Sequence, residues 1–201
     1  MSEVDPNELP WRVLLLGGPS GVGKTSVSYA LARRFDVGIC EIDDLHIVAK
    51  QITTPAQQPV LHRWDTDANA QNLSAERIVE LHIAVCRVMS ASIQAVVSNH
   101  VETNTPIVLE GDYVLPEVLP TIASPVAGVF LYEPDENQIL RNFAQREPVA
   151  GEQAKRAHVS WLFGRWLREE CARYGAIALE PRPWKTLLDR VIEAIGGVAH
   201  G

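Results

Sequence analysis

Apolar positions along this chain follow two rhythms. Short, mainly apolar runs at 13–16, 37–42, 107–109, 126–132 and 175–179 have the length and composition of strands. Between them lie longer stretches with helical spacing. Val27, Ala30, Leu31 and Phe35 mark a helix over 26–35, and Ile78, Leu81, Val85, Val88 and Val96 mark one face of a long helix from Ser74 to about 101. Ser74 is suited to cap that helix. Pro134-Asp135-Glu136 opens another helix, with proline and acids in its first turn, that ends near Pro148. A further helix follows a loop at 147–152, and a last one spans 185–195. Strands alternating with helices predict one α/β domain over 11–201, preceded by an acidic, proline-bearing tail at 1–10.

The first strand leads into Gly18-x4-Gly23-Lys24-Thr25, the G-x4-G-K-[ST] phosphate loop, in its required strand–loop–helix setting. Gly18, Ser20, Gly21, Val22 and Gly23 let successive backbone amides point at phosphate oxygens, and Ser26 lies at the start of the helix that follows. The Lys24 ammonium suits the β- and γ-phosphates, and the Thr25 hydroxyl suits Mg²⁺. The pattern therefore implies binding of a nucleoside triphosphate.

Two further strand ends carry carboxylates, at the edge where open α/β sheets bind ligands. The first is Glu41-Ile42-Asp43-Asp44-Leu45-His46. A period of two places Glu41 and Asp43 on one side and Asp44 on the other. The expectation there is one carboxylate near Mg²⁺ and one accepting a hydroxyl proton. The second is Ile107-Val108-Leu109-Glu110-Gly111-Asp112, an apolar run ending in acids of the Walker B type, where Glu110 or Asp112 would serve Mg²⁺. The proline-broken stretch at 51–73 has the mixed aromatic, basic and acidic make-up of a pocket wall, although His62 alone carries no catalytic claim. His82 and Arg87 are compatible with either solvent or the pocket. Arg146 and Arg156 flank the loop at 147–152 and are expected to close as a lid, over about 146–158, on the transferring phosphoryl group. Arg165 and Arg168 are read as solvated partners of Glu169 and Glu170, and Trp161, Phe163 and Trp166 as packing.

Composition narrows the partners. The net charge of −7, with no basic block, argues against nucleic acid as the main partner. Three scattered cysteines, Cys40, Cys86 and Cys171, read as free thiols of a reducing compartment. Neither a signal peptide nor an apolar run of membrane-spanning length is evident, so a cytoplasmic protein is expected. The sequence is silent on oligomeric state.

Taken in order, these motifs resemble the small-molecule P-loop kinases, the relatives of gluconate, shikimate and nucleoside monophosphate kinases, chloramphenicol phosphotransferase and 2-phosphoglycerate kinase. The resemblance runs from Arg12 to Ile195. It implies a five-stranded parallel sheet of order 2-3-1-4-5 with helices on both faces, and ATP with Mg²⁺ as cofactors. It also implies transfer of the γ-phosphoryl group to a hydroxyl of a small-molecule acceptor. Glu41-Ile42-Asp43-Asp44-Leu45-His46 is similar to the D-G-D-F-L-H element of gluconate kinases, which would make Asp43 the acid that activates the acceptor, with Glu41 departing from that pattern. By the same resemblance Arg146 and Arg156 lie in the lid, and the loop around Arg182, between Pro181 and Pro183, borders the adenine. A nucleotide-dependent regulatory NTPase, or a nucleotide-binding module without transfer, would share the phosphate loop. The absence of an Asn-Lys-x-Asp element argues against a GTPase.

Overall fold

The computed structural model describes residues 9–122, 125–151 and 153–198. Glu152 and the tail expected at 1–10, apart from Leu9 and Pro10, lie outside the described residues. Among the described residues five strands are present: β1 (Val13–Gly17), β2 (Gly38–Glu41), β3 (Ile107–Gly111), β4 (Val126–Leu131) and β5 (Ile177–Leu179). They form one sheet of order β2-β3-β1-β4-β5, and every pairing is parallel. The helices are α1 (Lys24–Phe35), α2 (Ile42–Gln51), α3 (Arg63–Thr66), α4 (Ala75–Glu102), α5 (Glu136–Arg146), α6 (Ala154–Tyr174) and α7 (Leu187–Val198).

Parallel strands covered on both faces are largely apolar, and residues of the central strand β1 alternate between two cores. In β1, Val13 and Leu15 join the core beneath α4 and α6, built with Met89, Ile93 and Leu167. Leu14 and Leu16 join the opposite core with Leu31 and Phe35 of α1 and Val191 of α7. Leu9 and Trp11 are buried in this second core, so ordered packing begins inside the stretch expected to be a loose tail. The Trp11 ring meets Phe35 edge-on at 5.5 Å between centroids.

Two local expectations change. The acids after β2 do not lie on an extended turn, because α2 begins at Ile42, immediately after Glu41. Alternation stops there and each following residue turns by a helical step. Glu41 accepts a hydrogen bond from the Tyr29 hydroxyl at 2.6 Å, and Asp43 faces a different direction. Asp43 and Asp44 fall in the first turn of α2, where carboxylates complement the positive helix end.

The long helix α4 is capped by Ser74, whose side chain accepts from the Arg77 amide. Its fully covered stripe runs through Val79, Ile83, Cys86, Met89, Ile93 and Val97 rather than Ile78, Val88 and Val96. Leu81 and Val85 are also buried, and with Pro59 and Val60 of the segment before α3 they line a small cavity. Apolar residues therefore surround much of α4, and a pattern of one face could not locate the side that meets the sheet. For the same reason α4, 28 residues long with an 18-residue window of mean hydropathy 1.4, is long and apolar enough by composition to cross a membrane, contrary to expectation. In this structure Val79, Ile83, Val85, Cys86, Met89, Ile93 and Val97 of α4 belong to the core.

Leu15 is fully buried at the centre of the sheet, opposite Leu109. Leu15→Ala should lower stability by about 2–5 kcal/mol, read as a reduced denaturant midpoint with an unchanged slope.

Candidate active site at the carboxyl edge of the sheet

Parallel register sets the site. Gly17 at the end of β1 lies beside Gly111 at the end of β3, so the phosphate loop and the acids after β3 emerge next to each other. Glu110 lies beside Leu16 on one side and Glu41 on the other.

The loop that leaves β1 has little freedom to vary. Gly18 has φ 144°, and a Cβ there would stand 2.5 Å from the Leu131 carbonyl oxygen. Gly23 has φ 86°, and a Cβ would meet the Trp184 ring at 2.7 Å. Both positions demand glycine on backbone and space together. Gly23 precedes α1, whose N-terminus has no side-chain cap and no acid in its first turn. Its amides and positive dipole end are therefore open to an anion. Asn142 of α5 donates to the Gly21 carbonyl at 2.7 Å and ties the loop to the base of the lid. Val22 is fully buried, so its contribution to an anion site is through its backbone.

Lys24 is buried, donates to the Pro19 carbonyl at 3.0 Å and pairs with Asp112. Thr25 donates through Oγ1 to Glu110 Oε1 at 3.0 Å. The other Glu110 oxygen, Oε2, is buried and has no hydrogen-bond partner. Burial pushes the Glu110 carboxyl above its ordinary range, with Lys24 and the Thr25 hydroxyl pulling the other way. Asp43 behaves similarly: burial, then the charge of Asp112, raise it from 3.8 to about 6 against the pull of Lys24.

Two cavities open on this edge. One, of about 1110 Å³, is bounded by Gly21, Gly23, Thr25, Arg146, Trp184 and Leu188. The other, of about 930 Å³, is bounded by Trp64, Val79, His82, Tyr113, Arg156 and Phe163. Ser20, Asp43 and Asp112 line both. The two spaces therefore meet at the phosphate loop, with the Asp43 carboxylate at the junction.

The arginines expected in the lid flank the α5–α6 connection, one toward each cavity. Both pair with Glu147: Arg146 through Nε at 2.9 Å and Arg156 through Nη1 at 2.7 Å. Both guanidinium groups lie over the Phe143 ring, at 5.2 and 4.2 Å from its centroid. Arg165 and Arg168 are engaged differently from expectation. They lie over the rings of Trp161 and Tyr132, at 4.9 and 5.2 Å, while Glu170 pairs with Arg173 at 2.8 Å.

On the opposite side, Arg182 does not border the first cavity. It forms a two-pronged pair with buried Glu133, at 2.8 and 2.7 Å. Arg190 of α7 donates to the carbonyls of Glu180 and Pro181 at 2.7 and 3.1 Å and holds the same loop. The side chain these contacts present to the cavity is Trp184. The segment at 51–73 reaches the second cavity through Trp64 and Ala70. His62, by contrast, is buried and bonded to the Thr53 hydroxyl at 3.1 Å.

Sequence reasoning did not single out Tyr113, Trp64 or Trp184 and assigned Phe163 to packing alone. Position two residues beyond the Walker B glycine was the one available signal for Tyr113. Phe163 serves twice, being both part of the core and a wall of the cavity. His82, left open between solvent and pocket, lines the cavity, and its ring nitrogen Nε2 lies 3.3 Å from the Asp112 carbonyl.

No family model matches the chain, and no curated protein matches it. Solved structures do. A gluconokinase from Sinorhizobium meliloti 1021 superposes with a TM-score of 0.54 at 16% identity, over 95% of this chain and 94% of its own. A shikimate kinase from Acinetobacter baumannii, in complex with shikimate, gives 0.54 at 16% identity over 95% and 96%. A sugar kinase from Janibacter sp. HTCC2649 gives 0.50 at 17% identity over 96% and 99%. This chain has the fold of the small-molecule P-loop kinases. Gluconate and shikimate kinases, two families that the motif order resembles, thus recur among its structural neighbours, and the sheet order expected from that resemblance is the one observed.

The raised Asp43 carboxyl yields a stability prediction. Its folded value of about 6 exceeds the ordinary 3.8, so the native state retains this proton longer than the unfolded chain. Its contribution to stability therefore falls as pH rises through that window, and the cost is complete above about 6. Asp43→Asn should melt higher than the native chain at about pH 8, by about 1 kcal/mol after allowance for its partial exposure, with the difference closing near pH 4.

Proposed function

We propose that this protein is a phosphotransferase that moves the γ-phosphoryl group of ATP to a hydroxyl of a small-molecule acceptor, in the cytoplasm. The observation that carries the reading is the pair of cavities joined at Ser20, Asp43 and Asp112. A nucleotide with its phosphates on the loop would fill the larger space and aim its terminal phosphate at the junction. A regulatory NTPase or a bare binding module needs the first cavity only. The second, of about 930 Å³, has the size of a site for a separate organic molecule.

In this reading the loop amides and the N-terminus of α1 hold the phosphates, and Lys24 exchanges Asp112 for the β- and γ-phosphates. Trp184 offers a flat face to the base. Asp43 orients the acceptor hydroxyl and takes its proton as the oxygen attacks phosphorus. Arg146 from the nucleotide side and Arg156 from the acceptor side leave Glu147 to neutralise charge on the transferring group, and the lid excludes water.

Mg²⁺ fits the donors present. Thr25 Oγ1, the unpartnered Glu110 Oε2 and Asp112 are oxygen ligands. Among the described residues no group of three or more His, Cys, Asp or Glu could hold a metal. The ion's part would be to neutralise phosphate charge.

The test is ADP release from Mg-ATP across a panel of hydroxyl-bearing compounds. Release should depend on an acceptor and vanish in Lys24→Ala. Release that is equal with and without every acceptor, yet lost in Lys24→Ala, would instead identify an NTPase. Asp43→Asn should retain ATP binding while kcat falls by about 10²–10⁴-fold. Because the base works deprotonated, kcat/KM should rise with pH through about 6, and this limb should be absent from the residual activity of Asp43→Asn.

A further inference from the structure

We propose that the acceptor is an uncharged alcohol with an aromatic or otherwise apolar body, rather than a carboxylate- or phosphate-bearing metabolite. The inference deepens the phosphotransfer reading and rests on it.

The second cavity has a preassembled aromatic wall. The Tyr113 ring stacks on His46 at 4.5 Å between centroids and leans against His82 at 5.4 Å. His82 in turn meets Phe163 edge-on at 4.7 Å. The Tyr113 hydroxyl is bonded to His46 Nδ1 at 3.0 Å, which holds the ring's orientation from its far end. Three elements lock this wall: α2 supplies His46, α4 supplies His82 and α6 supplies Phe163. Trp64, Ile78, Val79 and Val159 complete a surface that offers an organic body contact area and few hydrogen bonds.

Charge points the same way. The inner end of the cavity carries two carboxylates, Asp43 and Asp112, with buried Glu110 close behind them. The ammonium in this group, Lys24, pairs with Asp112 and faces the phosphate loop. Among the described residues lining the cavity, the lysine and arginine side chains are Lys155 and Arg156, both at the start of α6 and away from the aromatic wall. Arg156 is bonded to Glu147 and Gln153, and in the phosphotransfer reading its charge goes to the transferring phosphoryl group rather than to the acceptor body. An anionic group on the acceptor body would lose its hydration against rings and aliphatic carbons, beside carboxylates of its own sign. A hydroxyl loses far less and can donate to Asp43.

Styrene glycol and mandelate test this directly. They share the phenyl ring and the benzylic hydroxyl and differ by a hydroxymethyl group in place of the carboxylate. Calorimetric titration of the full chain with each, in the presence of Mg-ADP, should show the glycol binding at least about tenfold more tightly. Quenching of tryptophan fluorescence by the glycol should be reduced in Trp64→Ala. Ile78→Lys places a cation on the half-exposed cavity wall and should bring the ratio between the two ligands below about threefold. Mandelate binding as tightly as the glycol, or neither compound binding at millimolar concentration, would overturn the inference. Acceptor-dependent ADP release with sugar acids or shikimate would also overturn it while leaving phosphotransfer standing. Glycol preference in binding, with no phosphoryl transfer to any hydroxyl compound, would support the pocket's selectivity and overturn the phosphotransferase reading instead.

Discussion

The pairing of Lys24 with Asp112 is the contact around which the site is built. A buried ammonium is costly unless compensated, and here one charged partner and the Pro19 carbonyl compensate it. That compensation requires the first turn of α1 to lie against the chain leaving β3. Only a sheet that places β3 directly beside β1 in parallel register supplies this arrangement. The same juxtaposition brings Glu110 to Thr25 and sets Asp43 within the field of all three charged groups. One cation among three carboxylates leaves the edge negatively overcompensated. This imbalance helps explain why Asp43 and Glu110 resist ionisation, and why a divalent cation would be welcome beside the phosphates.

The connection between α5 and α6 repeats this logic with the signs reversed. Glu147 gathers Arg146 and Arg156 above Phe143, so two guanidinium groups share one carboxylate and one ring face. Their common partner is half-exposed, so the pairing is weak. The loop carrying Glu147 spans only the short interval between α5 and α6, and Gly151 within it has φ 73°. In the proposed phosphotransfer, closing this connection over a ligand would require rearranging ion pairs and a few backbone angles while both helices stay intact. Such a device can respond to ligand without disturbing the core.

Much of the scaffold was legible from the chain alone, because its signals are local. Strands show as short, mainly apolar runs, and the phosphate loop requires glycine at positions where a Cβ would collide with Leu131 or Trp184. Where the local pattern was ambiguous, reading failed in specific places. Glu41 and Asp43 were assigned to one side by strand alternation, but α2 starts between them and sends Glu41 to Tyr29. The face of α4 that meets the sheet was misjudged, because apolar residues cover more than one side of it. Arg182 stood out as a cation near a ligand loop, yet its charge is used by Glu133, and its neighbour Trp184 reaches the cavity.

The sequence by itself determined the glycine-rich strand–loop–helix, the acids at two strand ends and the arginines around a short connection. Each depends on residues adjacent in the chain, and therefore on backbone geometry that local sequence dictates. The aromatic wall, the meeting of two cavities at Asp43 and the balance of charge around Lys24 were decided by tertiary structure alone. His46, His82, Tyr113 and Phe163 come from separate stretches, and only the packing of α2, α4 and α6 on the sheet brings their rings within contact. A pocket's selectivity is a property of that convergence.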